Sequence, residues 1–293
     1  MTAIIDEAAR PRSYYDGYTG YDPTFLTAPV ALPILTGEQR RNAAKNTDAT
    51  ADADPTVFPY THFSMVINRR RQLAYYGVVN IDGSRLLELP REKDKWFFDS
   101  RLAESEQIGE ELYLRNALDR GHLVRRLDPV WGDDAQRPAD DTFHFTNCSP
   151  QHERFNQGKD LWQGLENFLM ANASVHQRRM TVFTGPVMTD ADPIYKGVRL
   201  PLAFFKVIAY VGADNALATA AYMLEQAKLI DDMDGFEAAF EPGSYRVTLA
   251  HIKERTGLDF DYLASHELPL TADGLEAGRD RVLISSDYSN VIV

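Results

Sequence analysis

Short apolar blocks separated by turn-forming residues dominate the middle and the second half of this chain. Residues 63–79 alternate and are rich in β-branched and aromatic side chains, and Arg69-Arg70-Arg71 interrupts them where a hairpin turn would lie. Residues 177–187, 203–211 and 216–224 are longer apolar runs of the kind found in buried strands. The pattern therefore predicts one β-hairpin followed by three buried strands.

Helical spacing is confined to a few segments. Residues 37–45 predict a short helix, and residues 251–256 predict a helical turn that Gly257 ends. The clearest amphipathic helix lies between the hairpin and the buried strands, with apolar positions at Leu161, Leu165, Phe168 and Leu169. Strand runs and separate helices together predict an α+β fold.

The first 55 residues differ in character from the rest of the chain. Four tyrosines stand there among glycine and aspartate residues, at Tyr14, Tyr15, Tyr18 and Tyr21. They predict an irregular arm that packs its aromatic rings on the domain. Residues 48–55 lack large apolar side chains and predict a linker rather than a calcium loop, which would need a glycine for its turn. We therefore divide the chain into an N-terminal extension with its linker, residues 1–55, and a single domain with a C-terminal tail, residues 56–293.

Composition places the chain among ordinary soluble proteins. Its 293 residues, of which 44% are hydrophobic, are enough to bury a large core. The one cysteine, Cys148, excludes an internal disulfide, and we expect a buried structural thiol rather than a nucleophile. The first residues lack the features of a signal peptide, and no apolar run reaches the length of a membrane span. We expect a cytoplasmic protein, and export that needs no N-terminal signal stays open.

The formal net charge of −12 argues against binding to nucleic acid, because phosphate neutralisation requires Lys and Arg. The distribution of charge weakens that argument. Acidic residues concentrate at 133–141 and 225–241, which we interpret as solvated loops. Basic residues gather in three places, at Arg69-Arg70-Arg71, at Arg120, Arg125 and Arg126, and at Arg178-Arg179. We therefore expect a local positive groove on an acidic protein, with weak binding that salt readily disrupts.

The most specific chemical pattern begins at Asp119-Arg120-Gly121-His122. A glycine beside the histidine lets the backbone bend close to a ligand, and a neutral imidazole accepts a proton from water near pH 7. Asn156 and Glu166 follow downstream, and amide and carboxylate oxygens suit a hard, oxygen-loving cation. Together these residues predict metal-assisted hydrolysis, with phosphodiester hydrolysis as the first hypothesis.

These residues belong to an ordered set of motifs. Asp119-Arg120-Gly121-His122 is followed by Asn147-Cys148-Ser149-Pro150-Gln151, Asn156-Gln157-Gly158 and Trp162-Gln163-Gly164-Leu165-Glu166. In this order they resemble the DNA/RNA non-specific endonuclease family, the ββα-metal or His-Me finger nucleases to which endonuclease G belongs. The resemblance covers roughly residues 56–265. It implies an α+β, ββα-metal nuclease fold in which helices flank a central antiparallel sheet.

The resemblance also implies roles for individual residues. His122 would be the general base that deprotonates the attacking water. Asn156 would be the direct protein ligand of a mostly hydrated Mg²⁺, with Mn²⁺ as the alternative, and Glu166 would hold water ligands of that cation. We expect Asp119 and Arg120 to support the site, Asp119 by accepting backbone hydrogen bonds and Arg120 by pairing with a carboxylate or with substrate phosphate.

Two further residues are predicted to contact the substrate. Arg91, upstream of Trp96 and Asp99, is the nearest candidate for the family arginine that contacts the scissile phosphate, and a surface arginine is the alternative. Asn147 is the second predicted contact. The predicted catalytic residues are therefore His122, Asp119, Arg120, Glu166 and Arg91.

Other histidines receive plainer interpretations. His144 and His152 flank the second motif and could line the groove, but the spacing of a zinc site is missing. His62, His176 and His251 are expected to be structural. Catalytic triads find no support, because no Gly-x-Ser-x-Gly motif occurs in the chain.

The chain departs from the family pattern in three respects. Asn156 and Glu166 are ten residues apart, slightly more than in the relatives, and a loop before the helix must absorb the difference. The family often carries an arginine one helical turn after the glutamate, where this chain has Met170, and Arg178 or Arg179 is the proposed substitute. The net acidity, thirdly, puts the affinity for nucleic acid in question more than the chemistry.

The sequence thus predicts a Mg²⁺-dependent, sugar-non-specific endonuclease that cuts DNA and RNA and leaves 5′-phosphate ends. The rivals are a degenerate relative that binds nucleic acid or protein without cutting, and an enzyme that acts on non-nucleic phosphodiesters. No membrane partner is expected, while a homodimer and a restraining inhibitor protein stay open. For residues 1–55, an inhibitory arm, a dimer clasp and an export determinant all fit.

Overall fold

The computed structural model describes residues 8–90, 94–159, 161–212, 214–233, 243–270 and 281–284. The strands in these ranges are β1 Ala9–Arg10, β2 Val57–Pro59, β3 Phe63–Asn68, β4 Leu73–Asp82, β5 Phe98–Asp99, β6 Leu118–His122, β7 Cys148–His152, β8 Arg179–Val187, β9 Ile194–Tyr195, β10 Val198–Arg199, β11 Ala203–Val211, β12 Leu217–Glu225, β13 Gly243–Val247 and β14 Arg281–Leu283. The helices are α1 Gly37–Asn42, α2 Gln136–Asp141, α3 Glu153–Asn156, α4 Trp162–Val175, α5 Ala227–Met233 and α6 Leu249–Thr256.

Eight strands form one antiparallel sheet, in the order β14-β13-β12-β11-β8-β4-β3-β2. Its centre is made of the three long apolar runs, because β11 pairs with β12 on one side and with β8 on the other. The hairpin joins this group where β4 pairs with β8, for example at Gly77 opposite Thr184. The predicted hairpin, the predicted buried strands and the predicted α+β fold are confirmed.

The turn of the hairpin is closed by a side chain that the hydrophobic pattern does not mark. The Oδ1 of Asn68 accepts hydrogen bonds from the backbone N–H groups of Arg70, at 3.1 Å, and of Arg71, at 3.3 Å. Gln72 then takes a left-handed backbone conformation with φ of 58° before β4 begins. The three arginines therefore lie in the turn, as expected.

Both faces of the sheet are buried, which explains why its strands are continuously apolar. Successive residues of β11 point to opposite faces, so Phe204 and Ile208 join one hydrophobic cluster while Phe205 and Val207 join the other. Helix α4 packs against the first cluster. Helix α6 and parts of the N-terminal arm pack against the second.

The two helices on these faces agree with their predicted spacing. Helix α4 begins at Trp162 and buries Leu165 and Leu169. Helix α6 begins after Thr248, whose side chain accepts a hydrogen bond from the N–H of His251, and ends at Gly257 with φ of 73°. Glycine suits that position because it adopts the left-handed conformation without steric cost.

The prediction that residues 133–141 form a solvated loop is wrong. The segment contains helix α2, and Asp141 at its end is fully buried. Its carboxylate accepts hydrogen bonds from the hydroxyls of Tyr14 and Tyr18, both at 2.7 Å, and from the N–H of Thr61 at 3.0 Å. A buried carboxylate is tolerated when it is hydrogen-bonded in this way. In the second acidic segment, residues 227–233 form α5, and residues 234–242 lie outside the described residues.

The arm packs its aromatic rings on the domain, as predicted, around one buried ion pair. Arg101 donates to the carboxylate of Asp99, with Nη2 at 2.7 Å from Oδ2, and its guanidinium lies 3.9 Å from the ring centroid of Tyr15. Burial alone would raise the pKa of Asp99, but Arg101 outweighs it and holds that pKa below its ordinary value. Removing one partner of such a pair costs about 3–5 kcal/mol, because the other charge is left buried.

The remainder of the described arm runs over the surface. Helix α1 ends at Asn42, earlier than the predicted residue 45, because the backbone of Ala43 is extended and bridges to Asn68. The predicted linker, residues 48–55, forms turns, in which Asp48 pairs with Arg12 on the arm. The division of the chain at residue 55 stays a prediction.

Among the described residues, no helix is both long and apolar enough to cross a membrane.

A pH dependence of stability follows from His144, which is fully buried. Its Nδ1 is 2.8 Å from the carbonyl oxygen of Asp141 and its Nε2 is 3.0 Å from the hydroxyl of Tyr15, a pattern that suits the neutral ring. Burial lowers the pKa of His144. The unfolded chain therefore binds a proton at higher pH than the folded chain, and acidification below the unfolded pKa of about 6.5 favours unfolding.

We expect His144→Phe to lose less unfolding free energy than the wild type when the pH falls from about 7 to 5. At neutral pH the variant should be less stable, because two buried polar groups lose their partner. Urea unfolding at each pH measures both effects. Equal pH slopes in the two proteins would contradict the assignment.

Candidate active site

The predicted catalytic histidine lies at the end of a two-stranded ribbon formed by β6 and β7. The strands pair in antiparallel register, with Gly121 opposite Ser149 and His122 opposite Cys148. Helix α3 follows β7 directly and α4 comes soon after it. Two strands and the helices that follow them therefore bring the dispersed motifs of the sequence together.

Gly121 is required here by space rather than by an unusual backbone angle. A Cβ added to Gly121 would lie 2.1 Å from Oε1 and 2.6 Å from Cγ of Gln151. The side chain of Gln151 is fully buried, so it cannot swing into solvent to make room. Gly121 of the first motif therefore leaves the space that the side chain of Gln151 in the second motif occupies.

Beside the ribbon is an open cavity of about 590 Å³. Five of the predicted site residues line it together, namely Asp119, Arg120, His122, Asn156 and Glu166. Arg125 and Arg126 contribute further positive charge, and Trp96 and Phe143 contribute aromatic walls. The cavity therefore combines a candidate base, oxygen donors and cationic side chains in one place.

The imidazole of His122 is held between two aromatic rings. Its centroid is 4.8 Å from that of Trp96 and 5.1 Å from that of Phe143, which meets it edge-on at 84°. These walls restrict rotation of the ring while one side faces the cavity. A half-buried imidazole fixed in this way can accept a proton from a group bound in the cavity.

Asp119 links the ribbon to the helix that follows it. Its Oδ2 accepts a hydrogen bond from Nδ2 of Asn156 at 2.9 Å and from Nε2 of Gln157 at 2.8 Å. These partners are side-chain amides, so the prediction that Asp119 accepts backbone hydrogen bonds is wrong. Since the nitrogen of Asn156 is engaged by Asp119, the amide group is oriented and its oxygen is the atom left for a cation.

Glu166 is balanced by a buried cation. Nζ of Lys206, in the centre of β11, lies 3.4 Å from Oε1 of Glu166 and 3.1 Å from the hydroxyl of Thr184. Asp128 is buried close by, and burial followed by the negative charge of Glu166 raises the pKa of Asp128 to about 6. Sequence reasoning missed both Lys206 and Asp128. A single lysine inside the apolar run 203–211 is the signal that would have found the first.

The cavity fits a hard cation that keeps most of its water. The two predicted ligands in its lining are the amide oxygen of Asn156 and the carboxylate of Glu166. Within the described part of the chain, no group of three or more His, Cys, Asp or Glu side chains is arranged to hold a metal ion. A sparse set of protein oxygens suits Mg²⁺, which dehydrates reluctantly, better than it suits a fully caged ion.

Comparison with known proteins adds to this geometry. The model of the DNA/RNA non-specific endonuclease family matches residues 41–266. The chain belongs to this family. The match includes every residue named so far in the cavity and begins within α1, so most of the N-terminal arm lies outside it.

Individual relatives share parts of their length with this chain. Protein y4fB of Sinorhizobium fredii is 42% identical over 268 residues, which are 85% of this chain and 40% of that protein. Mitochondrial endonuclease G from Bos taurus and from Homo sapiens is 28% identical over 160 residues, 50% of this chain and 49% and 50% of those proteins. The chain thus spans about half the length of endonuclease G and less of y4fB.

A solved structure supports the fold. The crystal structure of an EndoG/EndoGI complex, whose title describes a mechanism of EndoG inhibition, matches with a TM-score of 0.54 at 19% identity. The match covers 79% of this chain and 93% of the other. It confirms the predicted ββα-metal nuclease fold.

The family arginine that Met170 replaces has a different substitute from the one expected. Arg178 bonds to Asn172, Arg179 lies 3.3 Å from Asp82, and neither lines the cavity. Arg125, which follows β6, reaches α4 instead, where it donates to the backbone oxygen of Glu166 at 3.3 Å and to Oδ1 of Asn167 at 2.7 Å. The position beside Glu166 is therefore filled by an arginine from another segment.

Arg120 is held by Glu110. Its Nη1 donates to both carboxylate oxygens of Glu110, while the guanidinium carbon is 5.7 Å from the ring centroid of Trp96. This agrees with the first of the two roles expected for Arg120, pairing with a carboxylate. The residue also lines the cavity, so its charge acts there as well.

Two predicted substrate contacts stand elsewhere. Arg91 lies outside the described residues. Asn147 is fully buried and does not line the cavity, because its Oδ1 accepts from the N–H of Val124 and its Nδ2 donates to the backbone oxygens of Val124 and Thr142. The amide of Asn147 fixes the backbone just after His122, and its predicted contact with substrate does not fit this geometry.

The flanking histidines do not line the cavity either. His144 contacts the arm, as described above, and Nδ1 of His152 accepts a hydrogen bond from the N–H of Arg154 at the start of α3. Cys148 is buried, with its Sγ 3.4 Å from the hydroxyl of Tyr113, as expected of a structural thiol.

The contact between Gly121 and Gln151 predicts the effect of a single methyl group. We expect Gly121→Ala to lower the unfolding free energy by about 1–3 kcal/mol through overpacking. The double variant Gly121→Ala/Gln151→Ala should be more stable than the sum of the single effects, because the second change makes room for the first. Urea unfolding of all three variants measures this coupling.

Gly37→Ala is the matched control. The nearest atom to its added Cβ would be Nη1 of Arg41 at 3.5 Å, an ordinary contact, so its stability should stay within about 0.5 kcal/mol of the wild type. Strict additivity of the Gly121 and Gln151 substitutions would show that the two side chains do not compete for space.

Proposed function

We propose that this protein is a metal-dependent endonuclease that hydrolyses phosphodiester bonds in DNA and RNA and leaves 5′-phosphate ends. The observation that carries the proposal is the convergence of His122, Asn156 and Glu166 on one cavity, with Asp119 linking the segments that carry the first two. Membership of the family supports the same activity. Mg²⁺ is the proposed cation, and Mn²⁺ is the alternative.

His122 takes the proton from the attacking water. Its aromatic walls hold the ring in place, so little rotation must be frozen when the substrate binds. In-line attack on phosphorus requires the base and the departing oxygen to lie on opposite sides of the scissile phosphate. A base positioned in this way contributes about 10²–10⁴-fold to the rate.

Asn156 and Glu166 are the residues that would hold the cation. When bound, the cation supplies positive charge that stabilises the transition state and the departing 3′ oxygen. Asp119 keeps the amide oxygen of Asn156 directed to the cation by engaging its nitrogen. Lys206 pairs with Glu166 and so helps to hold its carboxylate in place.

The arginines of the cavity bind phosphate. Arg125 lies beside Glu166, where it can contact the non-bridging oxygens or the leaving group, and Arg126 is a second cation in the same cavity. Contacts of this kind recognise the backbone and not the base edges, so we propose low sequence preference. Because these contacts neutralise phosphate charge, the affinity falls as the salt concentration rises.

A relative that binds nucleic acid without cutting it is the second candidate. The loss of the family arginine at Met170 favoured that candidate, and Arg125 removes most of this argument because it supplies the missing charge. Inhibition by a partner protein is a further proposal, supported by the EndoG/EndoGI complex with which the fold was compared. Homodimer formation also stays a proposal.

We expect His122→Ala to lose about 10²–10⁴-fold in the rate of plasmid and RNA cleavage in Mg²⁺. His176→Ala, a change to an exposed histidine at the end of α4, is the control and should cut like the wild type. Gel assays with supercoiled plasmid and single-stranded RNA, with Mg²⁺ or with EDTA, measure the rates. Full activity of His122→Ala would remove it as the base, and turnover of a small diester without plasmid cleavage would favour a non-nucleic substrate.

Asn156→Ala should shift the Mg²⁺ titration of cleavage to higher concentrations, because the direct protein oxygen is removed. Gln157→Ala is the matched control, since Gln157 also donates to Asp119 but is not a proposed ligand. Isothermal titration of Mg²⁺ into each protein provides a reading that is independent of activity. Identical titrations for the two variants would exclude Asn156 from the metal site.

A further inference from the structure

A second hollow, of about 300 Å³, adjoins the catalytic cavity. The two share Arg126 and Phe143 as lining residues, so the second hollow continues the first along the surface. Arg10, Lys95 and Arg126 contribute three positive charges to it, against one carboxylate, Asp140. In a chain with a net charge of −12, this positive balance beside the proposed active site is unusual.

The N-terminal arm supplies Arg10 and holds it firmly. Strand β1 pairs in parallel with β5, and the N–H of Phe98 donates to the carbonyl of Ala8 at 3.2 Å. The guanidinium carbon of Arg10 lies 3.7 Å from the ring centroid of Phe97 and 4.6 Å from that of Tyr14. An arginine stacked by its face keeps the N–H groups on its edge for a ligand.

Arg10 and Lys95 have no carboxylate partner among the residues that the structure describes. Arg12, two residues further along the arm, is different, because it pairs with Asp48 at 2.7 Å. Arg126 is fixed by donating to the carbonyl of Leu89 at 2.9 Å. Arg10, Lys95 and the anchored Arg126 thus surround a space that opens into the catalytic cavity.

We propose that the second hollow is a phosphate subsite, built partly by the arm, that binds a polynucleotide at a phosphate flanking the scissile one. Arg10 and Lys95 bind the oxygens of that phosphate, and Arg126 lies between the two hollows. The inference rests on the proposed function. It assigns a substrate-binding role to Arg10, a residue that precedes the family match at residues 41–266.

Binding at the subsite depends on the charge and the length of the substrate. A polynucleotide long enough to lie across both hollows gains contacts that a dinucleotide does not, so chain length raises the specificity constant. Base identity does not matter there, because the ligands are phosphate oxygens. One phosphate contact fewer should lower the salt slope of binding by about 0.7 for a single strand.

The test compares Arg10→Ala, Lys95→Ala and Arg12→Ala with the wild type. Binding of a fluorescein-labelled twelve-nucleotide single strand is followed by anisotropy in EDTA at several salt concentrations. Cleavage of the same strand and of a dinucleotide is followed in Mg²⁺. We expect Arg10→Ala and Lys95→Ala each to weaken binding about tenfold at low salt, to reduce the salt slope, and to raise KM more for the long strand than for the dinucleotide.

The controls separate this inference from the proposed function. Arg12→Ala should bind and cut like the wild type, and Arg10→Lys should keep most of the salt slope, because it keeps the charge. Lys95 is exposed, so Lys95→Ala tests the subsite even if Arg10→Ala does not fold. Binding and salt slopes of Arg10→Ala and Lys95→Ala equal to those of Arg12→Ala would overturn the subsite. Salt-sensitive binding that both variants weaken, without cleavage by the wild type, would support the subsite and refute the nuclease.

Discussion

The carboxylate of Asp119 is the interaction on which the candidate site depends. It receives amide hydrogen bonds from Asn156 and Gln157 and so joins the strand that carries His122 to the helix that carries the proposed metal ligand. Without this link, the backbone hydrogen bond from Glu153 to Ala117 would still join α3 to the ribbon, but the side-chain amide of Asn156 would no longer be oriented. The other contacts of the site support this arrangement from outside. Gln151 fits against Gly121, and Asn147 holds the backbone after the histidine.

Two buried cations are paired in the interior, whereas the second hollow has more cations than carboxylates. In the interior, the buried cations Lys206 and Arg101 are paired with the carboxylates of Glu166 and Asp99. Buried charges are stable only when they are paired or hydrogen-bonded. In the lining of the second hollow, three cations stand against one carboxylate. An acidic protein can therefore present a basic surface locally, and the sum over the chain says little about what this surface binds.

The hydrophobic pattern of the sequence predicted the elements that depend on neighbouring residues. Alternation located the hairpin, apolar runs located the central strands, and the spacing of Leu165 and Leu169 located α4. The order of the motifs predicted that His122 and Asn156 share one site, and both line the cavity. Contacts between residues distant in the sequence were not predicted, because nothing near Lys206 in the sequence indicates Glu166, 40 positions away. Asp141 was assigned to solvent for the same reason, since its partner Tyr14 lies 127 positions upstream.

Those long-range pairs also determine when during synthesis the molecule becomes complete. A ribosome releases the N-terminus first, yet Tyr15 docks on His144, which emerges 129 residues later. Lys206, which balances Glu166, emerges later still, with the central strand β11. A nascent chain that already carries His122, Asn156 and Glu166 therefore lacks the counter-ion and the sheet that hold them. The candidate site is therefore complete only after residue 206 has been synthesised, 40 residues after Glu166.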